Sequence, residues 1–149
     1  MNDPHTSAAT PVRCALWNPS AAANWSLLFT PAFGAYLQML NWRALGEPER
    51  AIRARIWFTI SVAVSLASLS LAAARWTEYP GSPIQLATVA VLVGWYFAGA
   101  RDQVRYVKEK FGETYERRPW GKALWAGVAA LFGYCGIAFL VGVVAALLS

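Results

Sequence analysis

From Ala123 to Leu148 the chain runs for 26 residues, ALWAGVAALFGYCGIAFLVGVVAALL, without one charged side chain. An α-helix rises about 1.5 Å per residue and bilayer hydrocarbon is about 30 Å thick, so an apolar run of about 20 residues is long enough to span. Two further charge-free runs lie upstream, at 56–74 and 83–100. The pattern predicts an all-α fold: a small polytopic transmembrane helix bundle with spans at 56–74, 83–100 and 123–148.

Composition agrees. Of the 149 residues 57% are hydrophobic and only 14% charged, against about 25% charged in soluble domains. With a mean hydropathy of +0.36, the chain is too apolar for a single water-soluble core. One membrane domain is expected over 21–149, preceded by a polar tail over 1–20 that reads as disordered. The net charge of +5 does not point to nucleic acid, because the 13 Lys and Arg sit in short segments between the apolar runs. Such placement is a topology signal, since loops that remain cytoplasmic keep their Lys and Arg.

Residues 41–55 carry four Arg against two Glu, and 101–122 carry seven basic against four acidic residues, so both segments read as cytoplasmic. The connection RWTEYPGSP at 75–83 has one of each sign and is rich in turn formers, as expected of a translocated hairpin. A multi-pass protein with a periplasmic C-terminus follows. No Lys or Arg precedes an apolar run at the very start, so a cleaved signal peptide is not expected.

The stretch from Cys14 to Trp42 is also uncharged, but Pro19 and Pro31 interrupt it. Two courses are open for 22–40. It is either a fourth span kinked at Pro31, which puts the N-terminus outside, or a re-entrant or interfacial segment. Trp25, Trp42, Trp57, Trp76, Trp120 and Trp125 fall near the ends of the apolar runs and read as interfacial anchors.

Small residues recur at helical spacing: Ser61, Ser65 and Ser68, then Ala90, Gly94 and Ala98, then Ala138, Gly142 and Ala146. In lipid no hydrophobic force drives helices together, so such strips serve packing, inside the bundle or between copies. A serine-lined pore is the other reading. The spans at 56–74, 83–100 and 123–148 contain no Asp, Glu, Lys, Arg or His, which argues against a proton relay or coupled transport. The one histidine, His5, lies in the tail, and Cys14 and Cys135 are 121 positions apart, so no catalytic set, metal site or cofactor site can be assembled.

The loop at 101–122 carries an apolar stripe, Val104, Val107 and Phe111, with Gly112 placed to end a helix. It predicts a short amphipathic cytoplasmic segment. Arg105, Lys108, Lys110, Arg117 and Arg118 there, with Arg43 in the other basic loop, are candidate contacts for anionic headgroups or a membrane protein partner.

The segment WSLLFTPAFGAYLQMLNWRALG at 25–46, with the NP at 18–19 and the later YVKEKFG and RRPWGK, resembles a group of small uncharacterised inner-membrane proteins of Gram-negative bacteria. The resemblance covers 17–122 and implies a bacterial inner-membrane location, but no activity. Physical reading and resemblance together lead to the expectation of a non-catalytic interaction or accessory protein, or an immunity-type protein, with a small oligomeric channel or exporter subunit as the alternative.

Overall fold

The computed structural model describes residues 14–73 and 82–148. Its helices are α1 (Pro19–Leu28), α2 (Pro31–Ala44), α3 (Pro48–Ala73), α4 (Pro83–Trp95), α5 (Arg101–Phe111) and α6 (Gly121–Leu147), with a π-helical turn at Tyr96–Ala100 joining α4 to α5. The first four all open on proline, whose fixed φ and missing N–H suit the first helical position. Asn18 caps α1, its Oδ1 accepting from the Ser20 and Ala21 amides. Thr30 caps α2 through its hydroxyl. Gly46 (φ 72°) and Gly112 (φ 59°) follow the ends of α2 and α5 in the left-handed region that glycine adopts without strain.

Among the described residues, three helices are long and apolar enough to cross a membrane: Pro48–Leu71, the continuous Pro83–Phe111 and Gly121–Leu147. The architecture is thus an all-α bundle with the spans expected from the charge-free runs. Trp76 and residues 1–13 of the expected N-terminal tail lie outside the described residues.

The N-terminal segment forms a helical hairpin, as the re-entrant or interfacial alternative requires, rather than one long helix. Pro31 has no N–H for the helix to continue through, so α1 stops, the chain turns at Phe29 and Thr30, and α2 runs back beside α1. Trp17 pairs with Asn41, Ala22 packs with Leu37, and Gly34 closes on Ser26, a consistent antiparallel register. At ten residues α1 reaches about 15 Å, half the hydrocarbon. Both ends lie on one side of the bundle: Leu16 exchanges backbone hydrogen bonds with Glu116 and Arg118, while α2 turns through Gly46 into α3 beside α5. A segment whose ends share a side does not span, so the kinked fourth span is corrected to a helical hairpin. Residues 14–18 accordingly lie on the side of the basic loop, not opposite it.

Leu16 is fully buried, so the packed domain includes residues read from sequence as tail. The core is built largely of alanines and two tryptophans: Ala23, Ala35 and Ala100 around Trp95, and Ala51 and Ala54 around Trp42. Small side chains let the helix backbones approach closely. α5 continues the axis of α4, and its Val107 is 2% exposed. Of the apolar stripe on this segment, Val107 thus turns into the bundle, while Val104 and Phe111 are half-buried.

Candidate functional site

Where α2 crosses the π turn, five polar or aromatic residues are joined in one chain of hydrogen bonds. Trp95 Nε1 donates to Gln38 Oε1 at 3.0 Å. Gln103 Nε2 donates to the Gln38 carbonyl at 3.0 Å. Asn41 Nδ2 donates to Gln103 Oε1 at 3.3 Å and to the Trp17 carbonyl at 2.8 Å, and the Trp17 amide returns a bond to Asn41 Oδ1 at 3.0 Å. Gln38, Asn41, Trp95 and Gln103 are all at most 4% exposed. Satisfied buried networks fix a single packing, because each member would be costly unpaired. The crossing is tight at two glycines: a Cβ at Gly99 would sit 3.0 Å from the Gln38 amide, and one at Gly34 would meet Ser26 Oγ and come within 2.5 Å of the Trp95 ring.

One turn nearer the loops, Arg50 lies between two aromatic faces, 4.8 Å from the ring centroids of both Trp42 and Tyr106. Its guanidinium binds Asp102 at 2.9 Å, and the Tyr106 hydroxyl donates to Glu47 at 2.6 Å. Lys110 Nζ donates to the Tyr106 hydroxyl at 2.8 Å. Arg fits such a slot because its planar, weakly hydrated fork stacks and hydrogen-bonds at once.

Between α2, α3 and α6 opens a cleft of about 580 Å³. Phe33, Tyr36 and Leu37 of α2, Phe58 and Leu66 of α3, and Tyr134 of α6 form its walls, and Trp17 and Lys122 stand at the loop end. The Trp17 Nε1 is itself buried, with no hydrogen-bond partner among the described residues. Arg118 stacks on the Trp17 ring at 4.7 Å. Nearby, burial raises the Tyr115 phenol above its ordinary pKa, with Arg117 pulling partly the other way.

No family model matches this chain, and no curated protein or solved structure is similar to it. The placement of individual residues is therefore the available guide to the site.

Ser61 is buried, and Ser61, Ser65 and Ser68 each give their hydroxyl proton to a carbonyl of their own helix, at 2.8 to 2.9 Å. Gly94 packs on the Trp57 ring, whereas Ala90 and Ala98 are exposed. Ala138 is half-buried, and Gly142 and Ala146 are exposed. Trp25 stacks on Phe29, Trp57 and Trp120 are half-buried against the bundle, and Trp125 is 75% exposed. Trp42 differs from the anchor reading: at 1% exposed it is a core side chain. Among the basic candidates, Arg105 pairs with Asp102 and Arg117 with Glu113, while Arg43 and Lys108 are exposed. They form no single patch, since Lys110 belongs to the Arg50 cluster and Arg118 stacks on Trp17.

The buried network was not foreseen. Its signal was available: Trp95, Gly99, Gln103 and Val107 recur at a strict spacing of four, and amide side chains at 38, 41 and 103 stand in or beside apolar runs. The cleft has no comparable one-dimensional signature, because its walls come from three helices.

Proposed function

We propose that the protein is a non-catalytic integral protein of a bacterial inner membrane, an accessory or immunity-type protein that acts through helix–helix contacts within the bilayer. The observation that supports this is the behaviour of glycine along α6. Gly34, Gly94, Gly99 and Gly127 all face a neighbouring side chain closely, whereas a Cβ at Gly133, Gly136 or Gly142 would meet nothing among the described residues. Only Ala123 and Gly127 of α6 are buried. Most of a 27-residue apolar helix, bare of side chain at three glycines, is thus left for another helix to pack on. The excess of Lys and Arg at 41–55 and 101–122 supports a cytoplasmic location for the loop end and a periplasmic C-terminus.

The test is purification of the C-terminally tagged chain in mild detergent, with mass spectrometry of co-eluting proteins and light scattering for the mass of the complex. A stoichiometric partner that is lost on Gly136→Leu is the expected result. A pure assembly of four or more copies would instead favour a small channel or exporter subunit, and a bare monomer would remove the interaction reading.

A further inference from the structure

The cleft between α2, α3 and α6 has the dimensions of a ligand site. Its volume of about 580 Å³ lies inside the range of about 300 to 1,000 Å³ of small-molecule pockets. It is elongated along the helix axes: its α6 wall extends from Lys122 to Tyr134, about 18 Å of helix. One leaflet of a bilayer offers about 15 Å of hydrocarbon, half the total thickness. The walls are apolar apart from the hydroxyls of Thr30, Tyr36, Ser65 and Tyr134, and the one charged lining residue, Lys122, stands at the loop end. Arg118 stacks on the Trp17 ring at that end, and neither cation is in an ion pair among the described residues. Two unpaired cations at the end of an apolar cleft call for an anion. The sequence before Cys14, MNDPHTSAATPVR, has no apolar run to fill the cleft.

We infer that the cleft holds one phospholipid of the adjoining leaflet, an acyl chain lying along α6 and its anionic phosphate held by Lys122 and Arg118. This is a discrete binding site, distinct from general attraction of the basic loops to a charged surface, and it does not rest on the partner reading above.

The experiment is native mass spectrometry of the full chain released from nanodiscs of equal phosphatidylglycerol and phosphatidylcholine. One retained phospholipid per chain is expected, with phosphatidylglycerol favoured by about tenfold or more. Ala130→Phe, which adds a ring to the cleft wall, lowers retention by about tenfold, and Val62→Phe does so from the α3 side should the first variant fold poorly. Lys122→Gln keeps a lipid but brings the two headgroups to near parity. No retained lipid in the wild type, unchanged retention in a folded cleft-filling variant, or no headgroup preference would overturn the assignment. A lipid-free homodimer would also overturn it, by making a second copy the occupant.

Discussion

The indole N–H of Trp95 and the side-chain oxygen of Gln38 meet at 3.0 Å, with both residues buried, at the point where the N-terminal hairpin crosses the π turn. The bond attaches a hairpin that does not itself cross the bundle to a helix long enough to span. Gln38→Leu keeps the volume but leaves the indole donor unpaired, at a cost of about 1 to 3 kcal/mol. The loss is read as a lower unfolding temperature in detergent. In the Gln38→Leu, Trp95→Phe double variant the two losses should sum to less than their separate values, and strict additivity would argue against a working bond.

Glycine should be indispensable in one half of the molecule and dispensable in the other. Gly34→Ala forces a methyl into Ser26 and the Trp95 ring, so one of three closely packed segments must move. Overpacking of that kind costs about 1 to 3 kcal/mol or more. Gly136→Ala meets open space and should leave the isolated monomer as stable as before or slightly more so. Equal effects of the two substitutions would contradict the packing described.

Arg50→Lys should weaken the join between α3 and α5. Lysine keeps the charge but loses the planar stack on Trp42 and Tyr106 and the directed bond to Asp102. Because the Arg50 side chain remains 30% exposed, solvent screening limits the loss to about 1 kcal/mol. Arg105→Lys, on a side chain 71% exposed and paired at 3.5 Å, is the matched control and should change stability negligibly.

The hairpin also fixes where a thiol reagent can enter. Cys14 is two residues from Leu16, whose backbone is bonded to Glu116 and Arg118. In a Cys135→Ala variant a membrane-impermeant maleimide should label Cys14 from the side that carries the 101–122 loop, and from that side alone. Labelling from the opposite face would restore the crossing segment that the structure replaces with a hairpin.

How far the fold could be read from sequence follows from which forces act locally. The spans at 56–74, 83–100 and 123–148 were visible because hydrocarbon excludes charge residue by residue. The end of α5 at Gly112 was visible because a positive φ selects glycine. Pro31 announced an interruption, yet a kinked span and a hairpin present the same local signal; only the Trp17–Asn41 pairing, 24 residues apart, decides between them. Trp42 misled for a related reason. A tryptophan at the end of an apolar run suits a headgroup layer, and the cation that draws it inward, Arg50, belongs to the next helix.

The π turn at Tyr96–Ala100 makes the helix from Pro83 to Phe111 a structure with two phases. Trp95, Gly99, Gln103 and Val107 are buried at intervals of four, whereas a regular α-helix would carry each step about 40° further round. The widened turn absorbs that drift, as a single inserted residue would. Inserting one residue within 96–100 would therefore do more than lengthen the helix. With the turn already widened, it would swing Gln103, Tyr106 and Val107 by about 100° relative to Trp95, so the buried amide and the Tyr106 ring would face outward although every side chain was still present. In this helix, residue count is as much a determinant of the core as residue identity.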